Sequence, residues 1–188
     1  MAGMSLGGAF RQIGSLTAFS RIMGFVRDIA FATFLGAGAA ADSFLVALKL
    51  PNMFRRLSAE GAMTNAFLPN YAVIRETFGQ AAALKLAAEA QIFLIVGLII
   101  LVIVAEIFMA ELVLLLAPGF STTPDRLSAA INLGRITMPY LPLISVVALW
   151  VAIANAHDSF KAGAAAPIIA NTFLIIGTCL IPVIASQL

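Results

Sequence analysis

The side chains best suited to chemistry are a few charged residues near the beginning of the sequence. Arg21 and Asp28 are seven residues apart, and Asp42, Lys49 and Arg56 follow one another at the same interval. Seven residues make about two turns of an α-helix, so the members of each set share one helix face. An arginine guanidinium stays charged and binds two phosphate oxygens with its planar fork. The pattern therefore indicates an anion-binding site on two adjacent helices.

The charge balance of these two helices favours a ligand over a purely structural role. Five charged residues within them carry a net charge of +1, and an arginine pair at the end of the second raises it to +3. The five are Arg21, Arg27, Asp28, Asp42 and Lys49, and the pair is Arg55 and Arg56. In the structural alternative the charges only hold the helices together. Its pairs would be Arg27 with Asp42, or Asp28 with Lys49.

Catalysis and metal binding find little support in the residue types. The sequence holds one histidine, His157, and one cysteine, Cys179, and the two are far apart. No nucleophile, base and orienting group coincide along the chain. We therefore predict a protein that is not an enzyme and that uses neither a cofactor nor a metal.

The elements that must position the charged residues are membrane helices. Of the 188 residues, 62% are hydrophobic and 11% are charged, whereas a soluble domain has about 45–50% apolar and about 25% charged residues. This composition excludes a disordered chain, a small disulfide-rich secreted domain and an ordinary cytosolic enzyme. The net charge of +2 is too small to indicate nucleic acid as a partner. The lipid bilayer is the predicted environment.

Five transmembrane helices are predicted, which makes the chain an all-α polytopic membrane protein. Residues 90–105, 136–156 and 162–188 contain no charged residue, and a span needs about 20 apolar residues. The first two predicted helices contain the charges described above. A charge at the bilayer centre costs about 2.5–3.5 kcal/mol on insertion scales, so these groups are expected to face a bundle interior or a water-filled cavity. The predicted bounds are about 14–35, 41–57, 86–108, 133–156 and 163–185.

The distribution of basic residues predicts an orientation with the N-terminus in the cytoplasm. With that orientation six basic residues lie inside and one lies outside. One more lies near the start of a helix at the outer side. The inner residues are Arg11, Arg55, Arg56, Arg75, Lys85 and Lys161, and the outer ones are Arg126 and Arg135. Pro51 lies within the second helix, where it frees the carbonyl of Ala47 and predicts a kink or a break.

Several sequence runs resemble the MurJ (MviN) family of lipid II flippases. Residues 20–28 (SRIMGFVRD) are similar to the family's first-helix signature, as are 36–38 (GAG) and 41–44 (ADSF). The strongest match is 49–56 (KLPNMFRR), continued by 59–62 (AEGA) and 66–69 (AFLP). Residues 117–120 (APGF) and 135–140 (RITMPY) also resemble the family. The resemblance covers roughly residues 15 to 175 in order, and the ordered set is specific.

The resemblance implies a fold and a function. Members of this family belong to the multidrug/oligosaccharidyl-lipid/polysaccharide exporter superfamily, with two lobes around a cationic cavity, and the chain corresponds to most of the N-terminal lobe. The family moves lipid II, the undecaprenyl-diphosphate-linked peptidoglycan precursor, across the cytoplasmic (inner) membrane by alternating access for cell-wall synthesis. The implied partners are this anionic lipid diphosphate, the bilayer and cell-wall synthesis proteins.

The resemblance also assigns roles by motif position. The implied substrate-binding residues are Arg21, Arg27 and Arg55. The implied gating or charge-network residues are Asp28, Asp42, Lys49 and Glu60. The sequence departs from the family between 155 and 167, where only Pro167 clearly matches. Because the resemblance covers only about the first third of a family member, we expect a fragment that does not transport alone.

Two other functions are consistent with the same residues. A related multidrug or polysaccharide-lipid exporter is expected to have fewer cavity arginines and, for a drug antiporter, a carboxylate-centred site. A membrane scaffold subunit without transport activity is expected to have charged faces that are fully paired with each other.

Overall fold

The computed structural model describes residues 6–36, 38–56, 66–157, 159 and 161–185. Within these residues the chain forms α-helices and a short 3-10 helix over Pro118–Thr122, and no strand is present. The all-α fold predicted from the sequence is thus confirmed. The helices are α1 (Leu6–Leu35), α2 (Ala39–Arg55), α3 (Leu68–Phe78), α4 (Gln80–Ile107), α5 (Met109–Leu116), α6 (Pro124–Thr137), α7 (Tyr140–Ala156) and α8 (Lys161–Ala185).

The helices divide into two compact units. The first unit contains α1 and α8, which pack against each other although they come from opposite ends of the chain. The second unit contains α2 to α7. In the second unit α2 packs on α6, α3 on α4, α4 on α7 and α5 on α6.

The core of the second unit is built from one face of each helix. On α2 the buried residues Ser43, Ala47 and Leu50 recur at helical spacing, so they form a single stripe. Met109 of α5 is fully buried against Gly134 of α6. A Cβ atom on this glycine would lie 2.8 Å from the Met109 sulfur, so the close approach of these helices depends on the absence of a side chain.

Pro51 does not break α2, which continues through it to Arg55. A proline lacks the N–H that would bond the carbonyl four residues earlier, here that of Ala47. The hydroxyl of Thr137, at the end of α6, donates to the Ala47 oxygen at 3.1 Å and is shared with the Gly134 oxygen at 3.1 Å. The neighbouring helix thus satisfies the freed carbonyl, as in membrane helices that tolerate proline.

One helix of the described chain is long and apolar enough to cross a membrane by itself, and this is α4. Helices α6 and α7 meet at a bend of 43° and pass the same test together, as one broken span. Pro139 lies at this bend and cannot donate the N–H that would continue the helix. Within α8 the apolar part is the shorter stretch Ala165–Leu180. The predicted count of five spans remains a prediction.

Two helices were not anticipated from the sequence. Residues between the second and third predicted spans form α3, and α4 begins at Gln80 rather than near residue 86. Gly79 separates these helices with a φ of 86°, a left-handed conformation that glycine adopts without steric cost. The acidic segment after residue 106 contains α5. Both helices are too short to appear as spans, because α3 has 11 residues and α5 has 8.

Candidate functional site

Several side-chain contacts of the first unit centre on Arg27 of α1. The Nε and Nη2 atoms of Arg27 donate to the same carboxylate oxygen of Asp28, at 3.0 and 2.8 Å. Its Nη1 atom donates to the side-chain oxygen of Asn171 on α8 at 2.9 Å. The ring of Phe31, one turn further along α1, lies 5.8 Å from the guanidinium carbon, within the range of a cation–π contact. We call Arg27, Asp28, Phe31 and Asn171 the Arg27 cluster.

Asn171 is a functional candidate that sequence reasoning missed. Its side chain is buried, with 7% of the residue exposed, and it lies opposite Gly24 where α1 and α8 approach each other. Its amide nitrogen donates to the Ser20 carbonyl at 3.5 Å, which leaves the oxygen directed at Arg27. The signal in the sequence was a single carboxamide in the middle of a long charge-free run.

Arg27 retains hydrogen-bonding capacity for a ligand. A guanidinium has five N–H groups, and the three contacts above engage one hydrogen each on Nε, Nη1 and Nη2. One hydrogen on Nη1 and one on Nη2 have no partner among the described residues, and 31% of the side chain is exposed. Guanidinium N–H groups donate well to phosphate oxygens. Arg21 is exposed on the same helix and adds a positive charge.

Asp42 and Lys49 lie on the exposed face of α2, on the side away from its buried stripe. Arg56, directly after the helix, is also exposed. Asp42 pairs with Arg126 at the start of α6, with an N–O distance of 3.1 Å. The adjacent Ser43 hydroxyl donates to the Arg126 carbonyl at 3.0 Å, so both the side chain and the backbone of this arginine hold α2.

The ion pairs seen in the structure are therefore those within each unit. Asp28 pairs with its neighbour Arg27, although successive side chains on a helix point about 100° apart. The structural alternative in the sequence analysis predicted different pairs, Arg27 with Asp42 or Asp28 with Lys49. Arg126 entered that analysis only as a basic residue of an outer segment. Within the described residues, no group of three His, Cys, Asp or Glu side chains lies together as metal ligands would.

The remaining predicted site residues are less informative. Arg55 is half-buried at the end of α2. Lys49 is exposed. Glu60 lies outside the described residues, so its predicted role in the charge network has no structural counterpart here.

Comparison with known proteins identifies the family. The sequence profile of the family described as "Lipid II flippase MurJ" matches residues 31–187, most of the chain.

The chain belongs to the MurJ lipid II flippase family.

Curated MurJ relatives align over nearly the same length. A probable lipid II flippase MurJ of Rhizobium meliloti is 38% identical over 173 residues, which is 92% of this chain and 32% of the relative. The corresponding protein of Rickettsia prowazekii is 37% identical over 163 residues, 87% of this chain and 32% of the relative. The lipid II flippase MurJ of Burkholderia cenocepacia is 32% identical over 172 residues, 92% of this chain and 33% of the relative.

The MurJ match confirms the family resemblance seen in the sequence motifs. The relatives are named lipid II flippases. The chain spans about a third of the length of these MurJ relatives. The profile begins at residue 31, so it includes Phe31 and Asn171 of the Arg27 cluster but starts just after Arg27 and Asp28.

Proposed function

We propose that this chain is part of a flippase that moves lipid II across the cytoplasmic membrane. The family match supports the substrate class, since the relatives are named lipid II flippases. The contacts of Arg27 point to the residues involved. Arg27 bonds to Asp28 and Asn171 and still has two N–H groups available for a ligand. A lipid-linked diphosphate presents the phosphate oxygens that such a fork binds.

The site residues divide into ligand-binding and charge-holding groups. Arg21, Arg27 and Arg55 bind the anionic head of the substrate. Asp28 fixes the guanidinium of Arg27, because it accepts from two of its nitrogens. The other members of the charge network are Asp42, Lys49 and Glu60. Of these, Asp42 lies near the start of α2. Its bond to Arg126 must break if α2 and α6 move apart.

The proposed topology is a multi-pass inner-membrane protein with a cytoplasmic N-terminus. Contacts inside the second unit support the predicted separation of its helix ends between the two sides of the membrane. Asp42, at the predicted outer end of the second helix, pairs with Arg126, which is predicted outside. Arg75, predicted inside, donates to the Ala156 carbonyl at the predicted inner end of α7, at 2.7 Å. Opposite sides of a membrane are about 30 Å apart, so each contact requires its two residues to lie on the same side.

The proposed mechanism is alternating access, in which two lobes rock about a central site. The chain supplies most of the N-terminal lobe, and five of its helical segments span the bilayer. Because it is about a third as long as its MurJ relatives, the chain alone is expected not to transport. Transport needs the remaining lobe and is driven by the membrane potential or by an ion gradient.

A chimera tests the proposal directly. Residues 1–188 replace the aligned third of the Rhizobium meliloti relative, and the chimera is expressed in cells depleted of their own flippase. Lipid II that reaches the outer leaflet is measured by its accessibility to an external lipid II-cleaving enzyme. We expect the chimera to restore translocation and Arg27→Ala to reduce the rate by at least about tenfold, which is about 1.4 kcal/mol of lost interaction.

Arg135→Ala is the matched control for this change. Arg135 is exposed and lies 3.8 Å from its carboxylate partner Glu106, too long for a strong charge-assisted bond. The same loss of an arginine is therefore expected to leave translocation nearly unchanged at this position. Normal translocation by Arg27→Ala at normal expression would contradict the proposed anion-binding role.

A further inference from the structure

The carboxamide of Asn171 fixes the direction in which the Arg27 guanidinium points. Asp28 is on the same helix as Arg27 and holds one edge of the guanidinium through Nε and Nη2. Asn171 reaches from α8 and holds Nη1 at 2.9 Å. Two partners on different helices restrict the rotation of a side chain that otherwise has many rotamers. We propose that Asn171 is a positioning residue that aims Arg27 at a diphosphate-bearing lipid; this rests on the proposed function.

The chemistry of an amide suits this position better than that of a carboxylate. Asp28 already balances the charge of Arg27, and a second carboxylate on the other side would make the cluster net negative. A neutral carbonyl oxygen accepts the N–H without adding negative charge, so the cluster keeps its attraction for an anion. The amide oxygen of Asn171 points at Arg27 because the amide nitrogen donates to the Ser20 carbonyl.

Asn171 is buried, so its hydrogen bonds contribute to the stability of the fold. A buried amide without partners costs free energy, so both ends of the side chain are expected to stay bonded in the folded protein. At 7% exposure Asn171 has little access to solvent, whereas the side chain of Arg27 is 31% exposed. The buried residue thus serves as the anchor, and the accessible residue presents the remaining N–H groups to the ligand.

Substitutions at position 171 separate positioning from packing. Asn171→Leu keeps much of the volume but removes both hydrogen bonds. Asn171→Asp keeps the acceptor and makes the bond to Arg27 charge-assisted, but it removes the donor to the Ser20 carbonyl and adds a negative charge. The positioning role therefore predicts that Asn171→Leu weakens the binding of a diphosphate without a matching loss of thermal stability, and Asn171→Asp weakens it through the added charge. A purely structural role predicts that binding follows thermal stability in both variants.

The experiment uses the full 188-residue chain in lipid nanodiscs. The probe is farnesyl diphosphate, and farnesol is the uncharged probe of the same chain length. Affinity is measured by microscale thermophoresis, and thermal unfolding by circular dichroism. We expect affinity for farnesyl diphosphate to fall about tenfold in Asn171→Asp. We expect a fall of about fivefold in Asn171→Leu, and no change in farnesol binding in either variant.

Thr178→Val is the matched control on the same helix. Thr178 is buried like Asn171, lies seven residues further along the same face of α8, and bonds only to the Leu174 carbonyl of its own helix. Its replacement is expected to leave probe affinity unchanged. In the Arg27→Ala background, Asn171→Leu is expected to cause no further loss, since the residue that Asn171 positions is gone.

The outcomes distinguish this inference from the function on which it rests. If Arg27→Ala weakens farnesyl diphosphate binding but Asn171→Leu binds like the unsubstituted chain, the positioning role of Asn171 is wrong and the anion site stands. If Arg27→Ala leaves binding unchanged, the proposed anion site itself is wrong. If Asn171→Leu and Asn171→Asp both lose affinity only in proportion to their loss of thermal stability, Asn171 is a packing residue.

Discussion

Each unit of the molecule contains an arginine paired with an aspartate, yet the two pairs have different consequences. In the first unit Arg27 and Asp28 are adjacent on one helix, so their ion pair holds no two helices together. In the second unit Asp42 and Arg126 belong to different helices and join α2 to α6. The ion pair thus orients a side chain in the first unit and joins two helices in the second unit.

The surroundings of the two pairs explain the difference. A buried amide from a second helix holds Arg27 and leaves two of its N–H groups available. Asp42 and Arg126 are both substantially exposed, with 49% and 40% of their side chains accessible. Exposed ion pairs contribute about 0–1 kcal/mol, so the stability of this junction depends more on the buried groups beside it. The comparison indicates that the proposed anion site depends on the orientation of Arg27 more than on ion pairing as such.

Exchanging the charges of each pair gives the largest expected difference. In the chimera, Arg27→Asp combined with Asp28→Arg re-forms a local ion pair but moves the guanidinium about 100° around α1, away from Asn171. Translocation is expected to fall at least about tenfold. Asp42→Arg combined with Arg126→Asp restores a pair between the same two helices and is expected to stay within about threefold of the unsubstituted chimera. Equal losses of translocation in the two exchanges would contradict the proposal that only the Arg27 pair affects ligand binding.

Helix packing around two glycines gives the next largest difference. A Cβ atom at Gly134 would lie 2.8 Å from the buried Met109 sulfur, whereas one at Gly24 would lie 3.7 Å from Asn171, an ordinary contact. Gly134→Ala is therefore expected to lower the free energy of unfolding by about 1–3 kcal/mol. Gly24→Ala is expected to change it by less than about 0.5 kcal/mol. Thermal unfolding in micelles, followed by circular dichroism, measures both, and a larger loss at Gly24 would show that α1 and α8 pack more tightly.

The sequence predicts these regions unequally. The charge-free runs predicted α4, α7 and α8 as helices, because long apolar runs carry a strong signal. Helices α3 and α5 were missed because they are shorter than a span. The contact between Arg27 and Asn171 joins residues 144 positions apart, and no local pattern encodes such a pairing. Asp42 had several basic residues of similar chemistry as possible partners, and only packing of α2 on α6 selects Arg126.

The bond from Thr137 to the carbonyl freed by Pro51 has a smaller expected effect. Thr137→Val leaves the partly buried Ala47 oxygen without this donor and is expected to cost about 1–2 kcal/mol. In a Pro51→Ala background the loss is expected to shrink, since an N–H at position 51 bonds the same oxygen within α2. The fluorescence of Trp150, the sole tryptophan, reports unfolding of the second unit, where its indole N–H donates to Gln91 at 2.8 Å.

Thr172→Val is the control for this cycle. Its hydroxyl bonds only to the Ile168 carbonyl one turn earlier on α8, so its loss leaves no carbonyl without a backbone donor. We expect a change below about 0.5 kcal/mol. An equal cost of Thr137→Val with and without the proline would show that the hydroxyl stabilises α6 alone, through its shared bond to the Gly134 oxygen.

The smallest expected effect is that of removing the charge of Asp42. Asp42→Asn keeps a side-chain oxygen near Arg126 but loses the ionic part of the contact, so unfolding of the second unit is expected to become easier by less than about 1 kcal/mol. Trp150 fluorescence at about 0.05 and about 0.5 M salt measures it, and the loss is expected to shrink at the higher salt because exposed charges are screened. Ser43→Ala is expected to cost more, about 1 kcal/mol at both salt concentrations, because the Ser43 hydroxyl is fully buried. A salt-independent loss of several kcal/mol for Asp42→Asn would instead make this pair a desolvated contact, and α2 would then be fastened to α6 by charge rather than by its buried stripe.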